Sequence, residues 1–134
     1  MVSKLDNALE FQQVALGLRA HRQQILAGNI ANADTPHYKA RDFDFSTALR
    51  NAVAGRGSGA GLQLVATSDR HLQGTSNSGP VRLQYRTPPQ DSADGNTVDM
   101  DLERANFSEN AIHYDAGLTF ITGKIKTLMS AIQG

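Results

Sequence analysis

A chain of 134 residues makes one small domain, and an apolar fraction of 40% supports only a modest core. Thirteen basic residues balance thirteen acidic ones, so no net field draws the protein toward nucleic acid or anionic lipid. Cysteine is absent, which excludes a disulfide framework and thiolate metal sites; Lys4, Asp6 and Glu10 interrupt the start, so neither a cleaved signal peptide nor a membrane span is expected.

Residues 1–33 read as one long helix: they are rich in Leu, Ala, Gln and Arg, and their only glycines are Gly17 and Gly28. Pro36 cannot continue a helix and biases Thr35 toward an extended conformation, which places the stop near Ala33. Residues 34–55 follow as a loop and a short helix, in which Phe45, Ala48, Leu49, Ala52 and Val53 recur at helical spacing behind a candidate N-cap, Asp44. Residues 56–98 form a middle segment. It opens with the Gly-rich stretch Arg56 to Gly61, too flexible in composition to pack. Val81, Leu83 and Tyr85 then alternate with polar residues as in a half-buried strand, with Leu62 to Ala66 as its expected hairpin partner. Residues 99–134 read as the second long helix, capped by Asp99 and carrying Asp101 and Glu103 at the positive end of its dipole.

In that last helix Ala111, Tyr114, Leu118, Ile121, Ile125, Leu128 and Ile132 are spaced three and four apart, the seam of a coiled coil. The first helix repeats the spacing through Val2, Leu5, Leu9, Gln12, Leu16, Arg19, Gln23, Leu26 and Ile30, with three polar interruptions. The fold class is therefore mainly α. Long terminal helices pair as a coiled coil in an elongated molecule, around a small irregular or hairpin middle. Phe11, Val14, Leu18 and Ile25 fall on the opposite side of the first helix, and one partner helix cannot cover both faces. Either the short helix and hairpin cover them within the chain, or neighbouring copies do. The second option makes the terminal helices order only on assembly, the polar seam being too weak alone, and lets Leu18→Asp block assembly while leaving the middle region of the monomer little changed.

The stretch LRAHRQQILAGNIANADTPHYKARDFDF, Leu18 to Phe45, resembles the N-terminal signature of flagellar axial proteins, carried here by Asn29, Ile30, Asn32, Thr35, Pro36, Tyr38 and Lys39. GNTVDMDLERANFSENAIHY, Gly95 to Tyr114, is similar to a second block of the proximal-rod members of that family. His37 stands where the family often has Gly, a strained choice if the backbone there needs a positive φ. The resemblance implies a structural subunit of the proximal rod, exported through the flagellar type III apparatus without a cleaved signal and assembled helically in the periplasm. Implied partners are neighbouring copies, the rod proteins FlgC and FlgF, the basal adaptor FliE and the membrane ring. The implied work is to carry torque to the hook and to surround the export channel. Another rod subunit, or a helical export chaperone, would share the terminal seams.

No catalytic set, metal or cofactor is expected. His21, His37, His71 and His113 lack metal-ligand spacing, no G-x-S-x-G frames a nucleophile, and a helix start accounts for Asp99, Asp101 and Glu103. Arg19, Arg22, Lys39 and Arg41 are candidates for pairing with carboxylates of neighbouring subunits. A short insertion within Arg56–Gly61 is expected to preserve swimming, whereas the same insertion within residues 5–30 rotates both apolar faces out of register and abolishes it. Equal loss in a motility assay would refute this division of the chain.

Overall fold

A computed structural model describes residues 2–54, 81–88 and 90–133, with side chains described from Leu9 onward. The Leu5 side chain, His71, the Gly-rich segment and the expected partner strand Leu62–Ala66 lie outside these residues. The long helices α1 (Val2–Ala31) and α3 (Met100–Gln133) bracket a short strand β1 (Arg41–Asp42), a helix α2 (Phe45–Val53) and a second short strand β2 (Gln84–Tyr85). At 1.5 Å per residue, α1 is about 45 Å long and α3 about 51 Å.

The two long helices pack against each other as an antiparallel hairpin. Asn29 meets Glu103, Gln23 reaches the Phe107 carbonyl and Leu16 lies against Gly117, so rising positions on α1 match falling ones on α3. On α1 the packed positions Leu9, Gln12, Leu16, Arg19, Gln23, Leu26 and Ile30 are those of the expected seam. On α3 they are not. The inward line runs through Glu103, Phe107, Asn110, Tyr114, Gly117, Ile121, Lys124 and Leu128, all buried or half-buried at alternating spacings of four and three. Tyr114, Ile121 and Leu128 belong to both lines, but Asn110, Gly117 and Lys124 take the inward places expected of Ala111, Leu118 and Ile125. Leu118, Ile125 and Ile132 remain 40%, 41% and 79% exposed.

Polar bonding and close approach account for this rotation. Asn110 is fully buried, accepts from Arg19 Nη1 at 3.3 Å, and donates to the Arg19 carbonyl at 2.9 Å and to Gln23 Oε1 at 2.6 Å. The polar interruptions at Arg19 and Gln23 are thus partners of Asn110 and not weak points. A Cβ at Gly117 would stand 2.9 Å from Leu16 Cδ2, so any larger residue there would have to displace the end of the Leu16 side chain.

The other face of α1 is covered within the chain, the first of the two alternatives the sequence left open. Leu18, Phe43 and Ala48 form the buried core cluster, with Val14, Ile25, Phe45, Leu49, Ala52, Val81 and Leu83 packed around it. Only Phe11 of that face stays exposed, at 51%. Two local devices aim these residues inward. Asp44 caps α2 by accepting from the Ser46 and Thr47 amides, and bonds from the Thr47 and Ser46 hydroxyls hold its carboxyl at about 2. The cap therefore persists above the ordinary aspartate range and is lost as the pH falls toward that value. Secondly, β2 pairs antiparallel with β1, Arg41 opposite Tyr85 and Asp42 opposite Gln84. The alternating segment thus finds a partner in the loop after α1, while the expected partner Leu62–Ala66 lies outside the described residues. Val81 and Leu83 turn inward as the alternation requires, while Tyr85 is 70% exposed and faces the Arg41 guanidinium.

With its motives removed, the expectation that α1 orders only on assembly loses its physical basis, and Leu18 becomes a core residue of the monomer. Leu18→Ala is expected to lower monomer stability by about 2–5 kcal/mol. Phe11→Ala should cost about 1 kcal/mol or less. Urea unfolding of the isolated protein measures both; equal midpoints for Leu18→Ala and the parent would contradict the core described here.

Candidate assembly site

The two sequence blocks singled out above dock on each other. Asn29, fully buried in the last turn of α1, turns its amide to the backbone of β1: Nδ2 donates to the Arg41 carbonyl at 2.8 Å and the Arg41 amide donates to Oδ1 at 3.1 Å. A side-chain amide carries the same donor and acceptor as a peptide, so Asn29 acts as a one-residue strand beside β1. Asn32 bonds the Gly28 carbonyl at 2.8 Å and closes the helix. From the lead-in to α3, Asn96 places its Nδ2 within 3.1, 2.7 and 2.9 Å of the Asn32, Ala33 and Thr35 carbonyls, binding the turn that follows α1. Thr97 binds the Tyr38 carbonyl and the Ala40 amide, and Lys39 Nζ donates to the Gly95 carbonyl at 2.7 Å. His37 does adopt a positive φ, 60°, and packs over Gly95, where a Cβ would lie 2.9 Å from its Nδ1. Gly95, at φ 72°, is therefore required both for its own backbone and for the space His37 occupies.

Below this turn runs a chain of ionised groups. Arg22 of α1 grips Asp42 of β1 with Nε and Nη2 at 3.1 and 2.9 Å. Arg86, just past β2, bridges Asp42 to Glu103 of α3, and Glu103, fully buried, also accepts from Asn29 Nδ2 at 3.2 Å. Burial raises the Asp42 carboxyl, but bonds from Arg22 and the Phe43 amide outweigh it and hold Asp42 below the usual range. At Glu103 burial prevails, and the carboxyl sits above its ordinary value despite Asn29 and Arg86. The bond to Asp42 raises Arg22.

Sequence reasoning missed this network. It left Arg22 between a partner subunit and solvated surface and gave Glu103 to a helix dipole, while Asp42, Arg86, Asn96 and Asn110 drew no attention. One signal was present: Glu103, Asn110 and Gly117 are spaced by seven, a polar line along a helix that otherwise looks apolar. The remaining candidates also have partners inside the chain. Arg19 stacks at 3.8 Å over the Phe45 ring, and Arg41 lies 5.6 Å from that of Tyr85. Asp99 caps α3, accepting from the Asp101 and Leu102 amides. His21 stacks on Phe43, and among the described residues no three His, Asp or Glu side chains converge as a metal site.

What the fold leaves open is apolar. Leu118, Ile125, Met129 and Ile132 stand 40 to 79% exposed along one flank of α3. On the other flank, between α1, α2 and α3, lies a groove of about 320 Å³ lined by Phe11, Leu16, Arg19, Phe45, Leu49 and Phe120. Of the expected interface residues, Leu18 and Leu26 are buried inside the chain, Leu9, Val14, Leu16, Ile25, Ile30, Tyr114, Ile121 and Leu128 are half-buried, and Phe11, Leu118, Ile125 and Ile132 are exposed. Such a surface stabilises nothing in a free monomer, and contiguous apolar surface of this kind marks contact with other proteins.

The chain resembles known proteins along its whole length. Residues 9–39 match the family model described as flagella basal body rod protein. The flagellar basal body rod protein FlgB of Yersinia enterocolitica is 53% identical, covering 99% of this chain and 98% of that protein. The proteins of the same name from Salmonella typhimurium and Escherichia coli K12 are 52% and 49% identical, over 100% and 99% of this chain and 99% and 98% of their own.

Removing Arg86 leaves Glu103 charged and buried without its cation, so Arg86→Met is expected to cost about 3–5 kcal/mol at pH 7. A raised carboxyl value means the ionised form is disfavoured in the folded state, a deficit present above the folded value and relieved as Glu103 takes up its proton. The loss should therefore shrink toward pH 4. Urea unfolding of parent and variant at both pH values tests this, and an undiminished deficit at pH 4 would exclude Glu103 as its source.

Proposed function

The chain belongs to the FlgB family of flagellar basal body rod proteins and is a structural subunit of that rod; on that premise we propose that it assembles helically in the proximal rod with neighbouring copies and with FlgC and FlgF, next to FliE and the membrane ring. The subunit carries torque from the ring toward the hook and surrounds the export channel. It works in the periplasm, reaches it through the flagellar type III apparatus without a cleaved signal, and catalyses nothing. Among the described residues no helix is long and apolar enough to cross a membrane, in keeping with contact to the ring through protein.

One observation carries the reading beyond the family: the outward apolar flank of α3. Four large side chains held 40 to 79% exposed over the distal half of α3 forgo roughly half or more of the about 1.5–3 kcal/mol that full burial of each would contribute. That free energy becomes available when neighbouring subunits cover the flank.

Removing the gene is expected to abolish swimming, rod and hook while leaving the membrane ring, because a proximal rod subunit follows the ring and precedes everything distal. Electron microscopy of basal bodies from the deletion strain checks this; intact hooks would overturn the proposal.

A further inference from the structure

The open groove and the exposed flank lie on opposite sides of α3. At 100° per residue, Leu118 stands about 200° around the helix from Phe120, and Met129 about 180°. A contact between two different faces of the same molecule is heterologous and propagates from copy to copy, as a helical assembly needs.

The groove also holds a cation without a counter-ion in contact. Burial lowers the Arg19 pKa; its guanidinium lies over the Phe45 ring and donates through Nη1 to Asn110 Oδ1, but no carboxylate touches it among the described residues. Gln12 Oε1, in the same groove, is buried with no donor among the described residues. The exposed flank offers the complement. Asp115, one turn before Leu118, is exposed and takes part in no ion pair among the described residues, and between it and the end of α3 the chain has Lys124 and Lys126 but no further acid.

Resting on the rod reading, we propose that the groove of one copy receives the α3 flank of a second copy, with Leu118 entering between Phe11, Phe45 and Phe120 and the Asp115 carboxylate meeting Arg19. The apolar contact removes water from both faces. The ion pair fixes the register, because sliding the flank by one turn leaves the part-buried Arg19 without a carboxylate partner.

The chain has no cysteine, so single-cysteine variants report this contact directly. Two differently tagged copies, one Phe120→Cys and the other Leu118→Cys, are expressed together in the deletion strain, and isolated basal bodies are oxidised. Both positions are exposed, so neither change disturbs the core. Mixed-tag dimers are expected. Adding Asp115→Arg to the second copy should reduce them at least tenfold, and Thr122→Arg, also an exposed position, should not. Rods built from the tagged copies that give no mixed-tag dimer, or dimers indifferent to Asp115→Arg, overturn this contact alone. Rods that form without the gene would instead overturn the rod reading.

Discussion

Arg22, Asp42, Arg86 and Glu103 come from four separate segments and meet in one line of alternating charge, closed at its inner end by Asn29. Each of these ions loses several kcal/mol of hydration on burial, recovered only when every member has its partner. The line is complete in a single arrangement: α1 against β1, β1 against the segment after β2, and that segment against α3. A slip of α3 along α1 by one turn would strand Glu103 beside Leu26 without Arg86. The same slip would strand Asn110 away from Arg19 and Gln23. The polar residues thus select the alignment, while Leu18, Phe43 and their neighbours supply most of the burial.

The alignment decides what faces outward. An isolated amphipathic helix turns its apolar stripe to its partner. Here α3 is rotated so that Glu103, Asn110 and Gly117 face α1, and the flank carrying Leu118, Ile125 and Met129 points to solvent. Specific polar contacts hold the subunit together, and nonspecific apolar surface is left for joining it to others. That distribution suits a subunit folding as a monomer and burying a second surface later.

Much of this was legible in the sequence because it depends on local rules. The two long helices, the Asp44 and Asp99 caps and the α1 seam all follow from spacing and capping chemistry, whereas the positive φ at His37 was only raised as a condition by the resemblance. The flank of α3 was misassigned because apolar periodicity marks a stripe without saying which partner takes it. Ala111, Leu118 and Ile125 matched a heptad as well as Asn110, Gly117 and Lys124 did, and only long-range hydrogen bonding chose between them. The partner of β2 was likewise hidden, since a two-residue ladder has almost no pattern of its own. Arg22 and Arg86 looked like solvated surface because a single sequence does not show a carboxylate arriving from 20 or 17 residues away.

The Asn29–Glu103 bond spans 74 residues, and those from Asn110 to Arg19 and Gln23 span 91 and 87. Contacts so distant along the chain form late and slowly, because the intervening loop must close before any of them contributes. During synthesis at about 5–20 residues per second, α1 precedes its partner by roughly 4–15 s. Throughout that interval its Leu26 side is bare, whereas its Leu18 side already has Phe43 and Ala48 available to cover it. Cooperative closure waits for Glu103 and Asn110, so the nascent chain stays pliant until nearly all of it exists.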